Sequence, residues 1–192
     1  MSRLPIVMLN EGILRLEDVA LRSKCKAVDV EDPEELALVQ GLIREMFRTM
    51  YADPGGGVAL AAPQVGVLLQ VVVIDYQDRD TSEQHLMALI NPKIVRRADE
   101  SDEAKEICLS VPNFSGKVAR STSVEVEAYD QHGQSISFTA EGFLARVVQH
   151  ELDHLNGVLY IDRVDGELNK VPDFPERRIE PTLRKLKLSD KS

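Results

Sequence analysis

The chain has 192 residues, of which 43% are hydrophobic and 29% charged, a mixture that excludes collagen, a coiled coil and disorder of the whole chain. At this length roughly 70% of the unfolded surface can be buried, so a core forms without disulfide staples. The formal charge of −9 argues against nucleic-acid binding over most of the surface, and no apolar run approaches the ~18 residues of a membrane span.

The segment from Met1 to Glu11 is a poor signal peptide, because its apolar stretch is short and Glu11 interrupts it. The two thiols, Cys25 and Cys108, suit an unexported chain in a reducing compartment. Asp32-Pro33-Glu34-Glu35 opens a helix: Asp32 caps, Pro33 takes the first turn and Glu35 stands where a capping box places it. Leu36, Val39, Ile43, Met46, Phe47 and Met50 then repeat at helical spacing, which predicts one buried face ending near Tyr51. Asp53-Pro54-Gly55-Gly56-Gly57 stops it. That glycine run lacks the lysine and the helix of a phosphate-binding loop.

Val58 to Gly66 is small and apolar and too short for a long helix. Gln70 to Asp75 reads as a buried strand, and Leu86 to Val95 as a strand interrupted at Asn91-Pro92. Asp99 to Glu106 is acidic and expected to be exposed. Val124, Val126 and Ala128 alternate with polar neighbours, as in a half-buried strand. Asp130 to Gly133 makes the turn, and Ser135 to Thr139 returns as its partner. A second helix is predicted from about Thr139–Glu141 to Asn156, stopped by Gly157. These elements predict one α+β domain over residues 1–170. Small antiparallel or mixed sheets pack around the second helix, and a basic, partly helical tail covers 171–192.

His150-Glu151-Leu152-Asp153-His154 lies inside that second helix. Residues four apart share a helix face, so the two imidazoles can converge on one cation, with Glu151 beside it to handle protons. Phe143, Val147, His150 and His154 fall on one stripe, which points the histidines inward. A catalytic site of this kind needs a third protein ligand, for which Cys108, Cys25, His85, His132 and the carboxylates are all open. The bland alternative is two satisfied core histidines.

Three segments resemble the peptide deformylase family, metal hydrolases that remove the formyl group from nascent protein N-termini. Gly57-Val58-Ala59-Leu60-Ala61-Ala62-Pro63-Gln64 is similar to its motif Gly-x-Gly-x-Ala-x-x-Gln. Glu106-Ile107-Cys108-Leu109-Ser110 is similar to Glu-Gly-Cys-Leu-Ser, and Gln149 to His154 to its histidine motif. The resemblance implies Cys108, His150 and His154 as metal ligands and Glu151 as general acid/base. It also implies an oxyanion hole from Gln64 and the Leu109 N–H, and a peptide groove lined by Gly57, Val58 and Ala59. It implies one divalent ion per chain, natively Fe²⁺, with Zn²⁺, Ni²⁺ or Co²⁺ as substitutes. N-formylmethionyl peptides are the implied substrates, and the implied setting is a bacterial-type cytoplasm or an organelle interior.

Ala59 and Ile107 stand where the family has glycines. A β-branched residue is excluded from positive φ, so the Ile107 segment must be extended and its side chain must roof or narrow the cleft. The same departures motivate a competing reading, a homologue that binds metal or peptide with little turnover. Leu144, Val147 and the Ile107 region are candidates for the methionine pocket. Glu106 and Arg120 are candidates for an ion pair bracing the cysteine segment, and Asp153 for either a support of the site or a solvated residue. Cys25, His85 and His132 read as structural or surface residues. From Arg177 to Ser192 six basic residues face two acidic ones, a local +4. That is the pattern of a solvated helix or of a dock for ribosomal RNA.

Overall fold

The computed structural model describes residues 19–52, 57–78 and 81–171. Helix α1 (Pro33–Tyr51) starts where the sequence places it. The Asp32 side chain accepts a hydrogen bond from the Glu34 N–H, and Glu34 and Glu35 lie at the positive end of the helix dipole. Strand β1 (Ala59–Ala61) runs into a 3₁₀ turn over Ala62–Val65, closed by Gly66 at φ 80°. Then come β2 (Val71–Gln77), β3 (Gln84–Arg97), β4 (Ser101–Cys108), β5 (Val111–Ser121), β6 (Ser123–Tyr129) and β7 (Ser135–Glu141). Helix α2 (Gly142–Leu155), a 3₁₀ turn over Tyr160–Arg163 and the short β8 (Asn169–Lys170) complete the described order. One sheet has the order β1-β2-β3-β6-β7 and the other β4-β5-β8, and every pairing between these strands is antiparallel. This is the α+β class expected.

The apolar run Val71-Val72-Val73-Ile74 is continuous because both faces of the larger sheet are covered. Val71 and Val73 pack with Val39, Ile43, Met46 and Met50 of α1. Val72 and Ile74 pack on the other face with Leu144, Ala145 and Val148 of α2. A third cluster, with Cys108, Val111, Val118, Leu159 and Tyr160, belongs to the smaller sheet. Helix α2 touches strands of both sheets, so the histidine motif sits at their junction. Its end is fixed by Gly157 at φ 72°, where a Cβ would lie 2.7 Å from the Arg22 backbone.

Several expectations need correction. The acidic stretch 99–106 is not simply exposed: from Ser101 it forms β4, with Lys105 and Ile107 outside and Glu106 and Cys108 buried. Strand β5 was not anticipated. The interruption at Asn91-Pro92 is a register shift within an unbroken β3. Asn91 takes φ 52° there, and its amide exchanges two 2.8 Å hydrogen bonds with the Val28 backbone. Strand β7 persists to Glu141, so α2 begins at Gly142. The readings of Met1–Glu11 and of the basic tail fall outside the described residues. Among the described residues no helix is long and apolar enough to cross a membrane.

Candidate metal centre

Cys108 ends β4, and His150 and His154 lie one turn apart on α2. One ligand atom from each residue lies within 4.8 Å of the others, and Cys108 Sγ is 3.3 Å from His154 Nε2. Of the third ligands left open, the fold therefore selects Cys108. Cys25 is buried in the core around α2, His85 stacks on Tyr76 and His132 sits in its turn.

Glu106 organises the surroundings. Its Oε2 accepts from His150 Nδ1 at 2.8 Å, which leaves Nε2 as the free ligand nitrogen. The same carboxylate accepts from Arg120 Nε and Nη2 at 2.9 and 3.0 Å and from Arg146 Nη1 at 2.9 Å. Burial acts to raise this carboxyl, but the bonds from His150 and Arg120 draw it down to about 2. Arg120 Nη1 continues to Asp153 Oδ2 at 2.6 Å, and Asp153 also accepts from Arg163 Nε at 2.5 Å. Asp153 is therefore a buried support, and the Glu106–Arg120 pair exists.

Two donors also reach the sulfur. Ser110 N–H reaches Cys108 Sγ at 3.4 Å and Gln64 Nε2 reaches it at 3.7 Å. Gln64 is held in one orientation, because its Oε1 accepts from Ala61 N–H at 2.8 Å while Nε2 also donates to Ser110 Oγ at 3.1 Å. Its amino group therefore faces the centre. Burial pushes the Glu151 carboxyl up to about 7. Burial also holds His154 well below the ordinary imidazole range, in the neutral form that ligates.

Buried polar atoms nearly always have partners. Among the described residues three do not: Glu151 Oε2, His154 Nδ1 and the hydroxyl of Tyr160, whose ring stacks on His150 at 6.1 Å. A cysteine sulfur, two imidazoles and a carboxylate with one orphan oxygen fit a divalent transition metal with its water, the donor set that soft and borderline cations prefer.

The centre floors a cleft of about 250 Å³ whose lining includes Gly57, Val58, Ala59, Gln64, Ile107 and Val147. Leu109, Phe143 and Glu151 line it as well. Gly57 is needed for its tightness: a Cβ there would come within 2.9 Å of Leu109 Cδ1 and 3.3 Å of Met50 Cγ. Neither Ala59 nor Ile107 is among the described residues of positive φ. Both sit in strands, and the Ile107 side chain is 54% exposed on the cleft wall. Two expectations fail here. Phe143 is 48% exposed, not inward-facing, and leans on Tyr76 at 4.8 Å. Leu144 is buried in the core and is absent from the cleft lining.

The sequence reading missed Arg146, Ser110 and the cleft-facing role of Phe143. Arg146 had a signal, since it precedes His150 by four residues and so shares its helix face. Ser110 alternates with Cys108, but the turn that ends β4 hides that relation.

The polypeptide deformylase family model matches residues 10–170. A peptide deformylase of Halothermothrix orenii is 42% identical over 153 residues, covering 79% of this chain and 92% of that protein. One from Aquifex aeolicus is 44% identical over 146 residues, covering 76% and 82%. Among solved structures, the peptide deformylase of Thermotoga maritima superposes with a TM-score of 0.72 at 34% identity, covering 86% of this chain and all of that one. The chain thus belongs to the polypeptide deformylase family, and it is a metal-dependent hydrolase with peptide deformylase activity.

Proposed function

We propose that the substrates are N-formylmethionyl nascent peptides and that the native ion is a single Fe²⁺, with Zn²⁺, Ni²⁺ or Co²⁺ able to replace it. Cys108 Sγ and the imidazoles of His150 and His154 hold the ion. Bound there, it lowers the pKa of its water and polarises the formyl carbonyl. The observation that carries this reading is the meeting of those three side chains beside the Glu151 carboxylate, whose Oε2 has no hydrogen-bond partner, at the floor of a cleft.

Glu151 Oε2 takes the proton of the attacking water. Its buried carboxyl, near 7, can then hold that proton and return it to the leaving amine. The oxygen of the formyl group gains charge as attack proceeds, and the Gln64 amino group and the Leu109 N–H donate to it; one such donor is worth about 3–4 kcal/mol of barrier. Val58, Ile107, Phe143 and Val147 take the methionine side chain and exclude water. Both sheets offer an edge to the peptide, since β1 and β4 are terminal strands and both line the cleft, which suits main-chain pairing. The formyl carbon carries only hydrogen, so a floor this close admits it and rejects an acetyl group by contact.

The test is formate release from formyl-Met-Ala-Ser by Fe²⁺- or Ni²⁺-loaded protein under anaerobic conditions. Stoichiometric formate with a new free amine is expected, and acetyl-Met-Ala-Ser should be spared. Metal-loaded protein that releases no formate would support the inert-homologue reading instead.

A further inference from the structure

Besides the ligand His150, four lysine, arginine or glutamate side chains line the cleft: Lys105, Glu106, Arg146 and Glu151. Glu106 and Arg146 neutralise each other at 2.9 Å and are buried, and Glu151 is buried at the floor. Lys105 is exposed, and no described residue forms an ion pair with it. Stability does not explain its position. The register of β4 sets Lys105 directly opposite Lys117 of β5, an unfavourable pairing of like charges. The nearby acid, Glu103, goes to Lys117 at 3.2 Å. Among the described residues, Lys105 is thus the cation of the cleft wall left without an acidic partner.

Its place along β4 says what it meets. Burial alternates, so Lys105 and Ile107 share the outward face, while Glu106 and Cys108 face inward. A peptide with its formyl end at Cys108 and its chain along the β4 edge runs antiparallel to that strand. It passes Ile107 first and Lys105 next, at roughly 3.3 Å per residue. The position of Lys105, three residues from the ligand, faces the third residue of the substrate.

We propose that Lys105 determines specificity by reading the charge of the substrate's third residue, favouring aspartate or glutamate and disfavouring lysine or arginine. This rests on the deformylase reading for the direction of the peptide. The selection acts on binding, so it appears in KM and leaves kcat alike across the series. It is also screened by salt.

The experiment uses formyl-Met-Ala-X-amide with X as Asp, Ser or Lys, the amide removing the terminal carboxylate. The expected order of kcat/KM is Asp, Ser, Lys, each step about threefold at low salt, as for a solvent-exposed charge pair. Raising the salt to ~0.5 M should collapse the order. Lys105→Met should flatten it and Lys105→Glu reverse it. Equal values for the three peptides, or a preference that Lys105→Glu leaves in place, would overturn the proposal. The Kd values of the deformylated products, Met-Ala-X-amide, on Ni²⁺-loaded protein are read in parallel and need no turnover. Absent formate with ordered Kd values would therefore count against the activity and not against the role of Lys105.

Discussion

At the scale of single residues, the histidine pair is legible because its geometry is local: four residues are one helical turn. The cysteine is not, since nothing in spacing brings residue 108 to residue 150; only the likeness of its five-residue segment to a family motif singled it out. Opposite charge suggests Glu106 as a partner for Arg120, but its bond to His150 depends on how β4 lies against α2. That bond carries a prediction. Glu106→Gln should weaken metal affinity by ~10–100-fold, because the imidazole loses its anionic anchor and two buried guanidiniums lose theirs. Chelator competition monitored by metal content measures it. Unchanged affinity would mean that His150 is held by packing alone.

At the scale of elements, α1, α2 and the β6–β7 hairpin were legible because caps, period and turn chemistry agree. Strand β5 was not, because Pro112, Asn113 and Gly116 read as breakers, whereas pairing with β4 and β8 on its two sides overrides them. The packing of α2 against the segment before α1 also has a measurable consequence. Cys25 N–H donates to Leu155 O at 2.9 Å, and burial pushes the Cys25 thiol up to about 12. The unfolded chain ionises this thiol first, near its ordinary value, so the folded state holds the extra proton. Stability should therefore fall as pH rises from about 9 to about 12. At pH 8 iodoacetamide should label Cys25 only after denaturant unfolds the protein. Labelling of the native protein at the rate of a free thiol would contradict that burial.

At the scale of the whole molecule, two helices on opposite faces of one sheet, and a second sheet across α2, place the ligands at a junction that no single element contains. This is why the fold class could be read from the sequence while the cleft lining could only partly be. Charge is also unevenly spread: the chain is −9 overall, yet its last sixteen residues carry +4. We propose that this tail docks to ribosomal RNA by phosphate contacts, which would bring the cleft to emerging chains. Replacing Arg177, Arg178, Arg184, Lys185, Lys187 and Lys191 with glutamine in the full chain should abolish salt-sensitive cosedimentation with ribosomes. Deformylation of a tripeptide should remain. Undiminished cosedimentation would exclude the tail.

The central claim is that a sulfur from β4 and two nitrogens from α2 hold one ion, and X-ray absorption at the metal edge addresses it most directly. For zinc-loaded protein the account predicts one ion per chain, with one sulfur at ~2.3 Å and two imidazole nitrogens at ~2.0–2.1 Å. The sulfur signal should vanish in Cys108→Ala. A spectrum with no sulfur neighbour in the unaltered protein, or one that Cys108→Ala leaves unchanged, would contradict it.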